Sequence, residues 1–190
     1  MSVAAVILAA GDSSRLGTPK QLVKYQGRSL LRRAAESACS SRAETVIAVL
    51  GFTAAAMQGE LAGLRVRVTE NLLWREGIGS SIRCAVSALP PGSDGVLLIV
   101  CDQPRLTSGH LDALINVFGA APERPVASGY GGASGVPALF PRALFAELLT
   151  LEGDRGAQRV LRAHAKDLVT LPWPDGEFDV DTAGDIAAHV

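Results

Sequence analysis

Cysteine and histidine are scarce in this sequence: among 190 residues there are three of each, Cys39, Cys84 and Cys101 with His110, His164 and His189. The cysteines lie far apart with no CxxC pair, which argues against a disulfide framework and against a zinc site. "GGASGV", residues 131–136, misses the GxSxG elbow, and with the histidines dispersed a hydrolase has little support. Net charge is lacking too. A formal charge of −1 offers no global attraction to nucleic acid or to an anionic membrane, so any basic function is local. No apolar run approaches the ~20 residues that span a bilayer. The apolar start, Val3 to Ala10, has no basic leader, so it reads as neither signal peptide nor membrane helix and the protein as cytoplasmic. With no repeat, low-complexity tract or linker, residues 1–190 read as one domain.

What is present is a globular composition, 48% hydrophobic and 19% charged, in which apolar runs alternate with helical periods. Val3 to Leu8, Thr45 to Leu50, Arg65 to Thr69 and Gly95 to Cys101 read as strands, the first and last so uniformly apolar that both faces are expected to be buried. Between them Leu30, Leu31, Ala34, Ala35 and Ala38 keep helical spacing, as do Ile82, Ala85, Val86 and Leu89, then Leu111, Leu114, Ile115 and Phe118. The order βαβα predicts a wound α/β sheet with parallel central strands and helices on both faces. Beyond Pro122, short strands are expected around Pro125 to Tyr130 and Val136 to Phe140, with helices near Arg142 to Leu149 and Gly156 to Ala165.

Wound sheets bind ligands beyond the carboxyl ends of their strands. At the end of the first strand the chain reads "AVILAAGDSSRLGTPKQL", placing Gly11, Ser13, Ser14, Arg15, Gly17 and Lys20 there. Glycines let backbone N–H groups approach an anion, and Arg15 and Lys20 add fixed positive charge, which together point to phosphate binding. The spacing is neither a Walker A loop nor GxGxxG, and a polar surface loop with solvated charges accounts for the cluster taken alone. The fourth strand runs through "GVLLIVCDQPRL" into Asp102, a candidate ligand for Mg²⁺, which favours one or two carboxylates plus phosphate oxygens; taken alone, Asp102 could equally open a turn. Near the end stands "FDVDTAGDI", with Asp179, Asp181 and Asp185. In an extended segment Asp179 and Asp181 share a side, and Asp181 or Thr182 can cap a following helix. The sharper reading has Asp102 and Asp181 meeting over one phosphate-bound Mg²⁺.

At these residues the sequence resembles the MobA-like nucleotidyltransferase family, which attaches a nucleotide to molybdopterin. "LAAGDSSRLGTPKQL" is similar to its signature loop, and "CDQP" with the late "DVDT" to its two metal-binding stations. "NLLWREGIGSSIRCAV", "SGYGGASGVPALF" and "LEGDRGAQRVL" resemble, in order, blocks of the molybdenum cofactor cytidylyltransferase branch, so the likeness spans essentially the whole chain. It implies a Rossmann-like, mixed but mostly parallel sheet of the nucleotide-diphospho-sugar transferase type, CTP and Mg²⁺ as nucleotide and cofactor, and pyrophosphate release. It also implies molybdopterin or molybdenum cofactor as acceptor and a recipient molybdoenzyme or its chaperone as partner. Carried over, it puts the triphosphate on the backbone from Ala9 to Gly17 with Arg15 and Lys20 on phosphate oxygens, and the metal on Asp102 and Asp181. Leu8, Ala9 and Ala10 would border the base and Asn71, Gly79 and Ser81 complete that pocket, although Ser81 also suits a helix N-cap. Gly135, Pro137 and the turn Gly153 to Ala157, with Asp154 and Gly156, would face the pterin. Ordinary turn chemistry, positive φ at Gly153 and Gly156 and an Asx-turn at Asp154, is the alternative there.

The implied reaction is in-line attack by the terminal phosphate of molybdopterin on the α-phosphorus, with no general base required. A sugar-phosphate or isoprenoid-alcohol phosphate nucleotidyltransferase shares the first loop but not the later blocks. A non-catalytic cofactor carrier would have no need of Arg15, Lys20, Asp102 and Asp181 together. Between CTP and GTP, the guanylyl branch resembles "LAGG" where this chain has "LAAG", so a methyl group at Ala10 is expected to crowd a purine and favour CTP.

Overall fold

The computed structural model describes residues 1–12 and 19–180. Seven strands form one sheet: β1 (Val3–Ala9), β4 (Thr45–Leu50), β5 (Arg67–Glu70), β6 (Gly95–Val100), β7 (Val126–Tyr130), β8 (Ala133–Pro141) and β9 (Val169–Pro172), in the order β5-β4-β1-β6-β8-β7-β9. A two-stranded hairpin, β2 (Lys24–Tyr25) and β3 (Arg28–Ser29), stands apart. Strand β1 pairs in parallel with β4 and β6, and β5 extends the parallel half beyond β4. Only β8 runs against its neighbours, pairing antiparallel with β6 and β7, so the sheet is the expected Rossmann-like, mostly parallel one.

Period two explains why the strands carry no polar face. All of β1 is buried because its alternate residues enter different layers. Val3, Ala5, Ile7 and Ala9 pack with α1 (Leu30–Cys39) and α4 (Ser108–Ala120); Val6 and Leu8 pack with α3 (Ile78–Ser87) and the later helices α5 (Phe145–Leu148) and α6 (Gln158–Ala163). The periodic residues Leu30, Leu31, Ala34, Ala35 and Ala38 are the buried stripe of α1, with Ser29 capping its first turn through a bond from the Arg32 N–H.

Several boundaries differ from the expected ones. The third strand begins two residues late, at Arg67, because it is the sheet edge and three of its four residues are exposed. Helix α3 begins at Ile78, four residues before its first periodic apolar position, because Gly79, Ser80 and Ser81 are buried by close packing rather than by apolar bulk. The helices expected near Arg142 to Leu149 and Gly156 to Ala165 shrink to α5, preceded by a 3-10 turn, and to α6. Helix α2 (Ala54–Glu60) and strand β9 carry too little periodic apolar signal to be read: α2 buries only Met57, and β9 is an edge with alternating exposure. The segment expected to follow Asp181 as a helix lies outside the described residues. No helix among the described residues is long and apolar enough to cross a membrane.

A polar chain ties α4 to β7 and β8. The Ser128 hydroxyl donates to the Pro137 carbonyl at 2.7 Å, so its partner His110 Nε2, also at 2.7 Å, must carry the proton and donate to Ser128. The His110 ring stacks on Trp173 at 4.5 Å, and burial lowers its pKa to about 4. A histidine whose folded pKa lies below its unfolded value binds fewer protons when folded, so stability falls as pH drops from about 6.5 toward 4. Urea unfolding of the wild type should therefore show a midpoint that declines between pH 7 and pH 5, and His110→Gln should flatten that decline while lowering the midpoint at pH 7. A pH dependence unchanged by the substitution would show that His110 does not carry it.

Candidate functional site

The loop after β1 is closed by an amide. Gln21, buried in a 3-10 turn at Lys20–Leu22, donates from Nε2 to the Ala9 carbonyl at 3.1 Å and to the Gly11 carbonyl at 2.8 Å. This returns the chain to the strand end it left and puts Lys20 beside it. Sequence reading passes over Gln21; its signal is an amide next to Lys20, a side chain able to bond backbone carbonyls that a helix or strand leaves open. Ser13, Ser14, Arg15 and Gly17 lie outside the described residues.

Lys20 Nζ reaches Asp102 Oδ2 at 3.0 Å, both side chains being partly buried. The fold thus joins the two charged residues that sequence reading placed in separate motifs. The register Leu8↔Val100 accounts for it, because the two strands end level and release their loops on the same side. The Asp102 carbonyl accepts from the Val180 N–H at 2.9 Å, which brings the segment carrying Asp179 to the same strand end. Asp181 lies outside the described residues. Burial pushes the Tyr130 hydroxyl pKa upward, and the Asp179 and Asp102 carboxylates add to that rise against a hydrogen bond from Gln103. Gln103 Nε2 lies 3.2 Å from Tyr130 Oη and 3.1 Å from the Val136 carbonyl, packing this wall against Asp102. No group of three or more metal-binding side chains gathers among the described residues. A hard cation here would depend on Asp102, a carboxylate donor of the kind Mg²⁺ or Mn²⁺ accepts alongside phosphate oxygens.

Beside this centre opens a cleft of about 510 Å³, walled by Gly11 and Asp12, by Trp74 and Arg75, by Gly77, Ile78 and Ser81 at the start of α3, and by Asp154. Leu8, Ala9 and Ala10 stand below it, all buried. The Ala10 methyl packs toward Gly51, whose own Cβ would come within 3.0 Å of it, and is 2% exposed, so the expected contact between that methyl and a base is not open in this structure. Asn71 is spent internally: Nδ2 donates to Ser80 Oγ at 2.8 Å and Ser81 Oγ at 3.1 Å, and Oδ1 accepts from the Leu73 N–H. It therefore positions Ser81 instead of facing the cleft. Ser81 lines the cleft from within α3 and is not its N-cap, a place held by Gly77.

Two glycines admit the last wall. Gly77 has φ +94° and a Cβ there would lie 2.5 Å from the Gly153 carbonyl carbon, so no other residue suits it. Gly79 donates to the Gly153 carbonyl at 2.9 Å, and its missing Cβ lets Leu151 and Glu152 lie against α3. Gly79 thus supports the wall without lining it. Of the expected turn features, Gly153 has φ +58° but Gly156 has no positive φ, and Asp154 makes no hydrogen bond among the described residues, so it forms no Asx-turn and stands exposed on the cleft. Gly135 abuts the Tyr130 hydroxyl, and Pro137 is held through Ser128. The residues expected to face one substrate are consequently split between the Asp102 wall and the cleft.

The sequence profile of the MobA-like NTP transferase domain matches residues 5–168. Nicotine blue oxidoreductase of Paenarthrobacter nicotinovorans is 31% identical, over 95% of this chain and 92% of that protein. A probable molybdenum cofactor guanylyltransferase of a Nostoc species is 29% identical, over 98% and 89%. Among solved structures, Rv0371c of Mycobacterium tuberculosis superposes with a TM-score of 0.82 at 31% identity, over 99% and 97% of the two chains, and has also been solved in complex with manganese. A loop-bearing β1, a carboxylate ending β6 and a profile matched across most of the chain agree: the protein belongs to the MobA-like NTP transferase family, with the sheet of the nucleotidyltransferases.

Proposed function

We propose that the protein transfers CMP from CTP to the terminal phosphate of molybdopterin or molybdenum cofactor in the cytoplasm, releasing pyrophosphate. The observation that carries the nucleotidyl-transfer chemistry is the Lys20–Asp102 pair, a cation from the loop after β1 and a carboxylate from the end of β6 at 3.0 Å beside a nucleotide-sized cleft. The relative named as a molybdenum cofactor guanylyltransferase supports the acceptor. The manganese complex of Rv0371c supports a divalent ion, which here we assign as Mg²⁺ on Asp102 and Asp181.

In this reading the acceptor phosphate oxygen attacks the α-phosphorus in line. A new P–O bond forms as the bond from α-phosphorus to the β-phosphate oxygen breaks, and the pyrophosphate carries away the electron pair. A phosphate is already a nucleophile at neutral pH, which agrees with the lack of an activated serine, cysteine or histidine beside Asp102 among the described residues. Arg15 and the backbone from Ala9 to Gly17 hold the triphosphate, while Lys20 swings from Asp102 to the leaving phosphates as charge builds on them. A metal held by Asp102 and Asp181 would supply charge neutralisation at the phosphates. Gly135 and Pro137, on the Asp102 wall, then flank the acceptor.

Guanylyl transfer to the same acceptor is the second reading, favoured by the buried Ala10 methyl and by the name of that relative. Measuring kcat/KM for both nucleotides with molybdopterin separates them: the cytidylyl reading expects the higher value for CTP. Equal values or a GTP preference would overturn the cytidylyl assignment and leave the nucleotidyltransferase reading standing, and a GTP preference would put the guanylyl one in its place.

For the centre itself, pyrophosphate release should fall to near background in Asp102→Ala with the circular dichroism spectrum preserved. Lys20→Ala should lower kcat by about 2 to 4 kcal/mol in transition-state terms, more than it weakens nucleotide binding. Near-normal turnover in Asp102→Ala, or a Lys20→Ala defect confined to binding, would remove these roles.

A further inference from the structure

Trp74 is one of few aromatic residues in a chain that is 5% aromatic, and its surroundings are unlike those of a core tryptophan. It is half-buried, in the 3-10 turn Trp74–Glu76 between β5 and α3, and it forms part of the cleft wall. Its root is pinned: a Cβ on Gly51 would lie 2.9 Å from the Trp74 Cβ and 2.7 Å from the Ala10 carbonyl, so only a glycine there lets the indole stand against the tip of β1. Phe52 packs obliquely against the ring at 5.4 Å, bracing its orientation. Over the indole lies the Arg75 guanidinium, 4.5 Å from the ring centroid. Arg75 is exposed and has no hydrogen bond or ion pair among the described residues, so the indole is what holds it.

A guanidinium is flat, and a flat cation resting on an aromatic face with nothing else to bond occupies the place that a planar ring would take. The indole is braced while its cover is exchangeable. On the same cleft stand Ser81 Oγ, held in place by Asn71, and the Asp154 carboxylate, which has no hydrogen-bonding partner among the described residues: a hydroxyl and an acceptor able to read the edge of such a ring. From these placements we infer that Trp74 is a stacking platform for the heteroaromatic base of the bound nucleotide, with Arg75 as the group that the base displaces. The inference rests on the nucleotidyltransferase reading and adds to it a residue that seats the base by its face, in a cleft where the Ala10 methyl is closed off. Stacking is tolerant of ring identity, so the platform supplies affinity for either base and leaves discrimination to the edge groups. A pterin ring offers the same flat chemistry, and the test separates the two sources.

Dissociation constants for CTP and GTP, each with Mg²⁺, and for 6-hydroxymethylpterin phosphate would be measured by calorimetry on the wild type, Trp74→Phe and Trp74→Leu, with tryptophan emission followed during the CTP titration. Trp74→Leu should weaken both nucleotides by about 5- to 150-fold, the range expected for one lost base stack, and leave the pterin phosphate unaffected. Trp74→Phe, which keeps a ring, should hold CTP within about threefold of wild type while abolishing the saturable change in emission that CTP causes in the wild type. Equal nucleotide affinity in the wild type and Trp74→Leu overturns the platform and leaves the proposed function standing. Loss of pterin phosphate binding alone also overturns it, assigning the indole to the acceptor. A wild type that binds neither nucleotide overturns the nucleotidyltransferase reading and the platform with it.

Discussion

Parallel hydrogen bonding between β1 and β6 sets where chemistry can occur in this molecule. Six aligned pairs, from Val3↔Gly95 to Leu8↔Val100, leave the two central strands ending level, and each end releases a segment carrying a charged residue. A strand slip of one residue would turn every β1 side chain to the other layer and break both cores. The apolar packing that keeps Ile7 under α1 and Leu8 under α3 therefore also keeps Asp102 opposite the loop after β1. The 3.0 Å approach of Lys20 to Asp102 follows from that register together with the Gln21 bonds that tie the Lys20–Leu22 turn to the end of β1.

The cleft beside this pair owes its shape to groups that never face it. Asn71 uses its amide to fix two serine hydroxyls and the following backbone, and Gly77 and Gly79 remove the side-chain bulk that would hold the 151–154 segment away from α3. Polar groups satisfied in this way rigidify a wall at little cost, whereas the same groups left unpaired would be expensive to bury. The consequence is a site whose open functional groups, the exposed Arg75 and Asp154 and the half-buried Trp74, are few and are carried by a supporting layer of closed ones. Proteins named nicotine blue oxidoreductase and probable molybdenum cofactor guanylyltransferase are both relatives at about 30% identity, which agrees with a shared frame on which such a small set of open groups can vary.

The central strands β1, β4 and β6 and the helices α1, α3 and α4 are legible because burial on both faces of a parallel sheet leaves continuous apolar runs, and burial on one face of a helix leaves a 3.6-residue stripe. Strand β4 matches its expected bounds, and β1 and β6 each differ by one residue at an end. The signal fails where elements sit at the periphery: β9 at one sheet edge and α2 with a single buried residue have no pattern to distinguish them from loop, and β5 at the other edge is legible as a strand but not in its bounds. The N-cap alternative for Ser81 fails for a related reason. Small residues at the start of α3 look like a helix boundary in one dimension, but they are its buried interior once Leu151 and Glu152 lie against them.

What the sequence by itself determined was the family frame: apolar strands ending in a glycine-rich loop and in Asp102, with a lysine nearby, residues whose meaning comes from local order along the chain. Only the tertiary structure decided which of the expected residues touch open space. Asn71 and Gly79 turn inward and Ala10 is closed off, while Trp74 and Arg75, unremarked as single letters, form a cleft wall. The reason is physical. Strand ends are set by nearest-neighbour pairing that a pattern reveals, whereas exposure at a site depends on segments distant in sequence, here Gly51 beside Trp74 and Gly153 beside Gly77, whose approach is legible only as the absence of a Cβ.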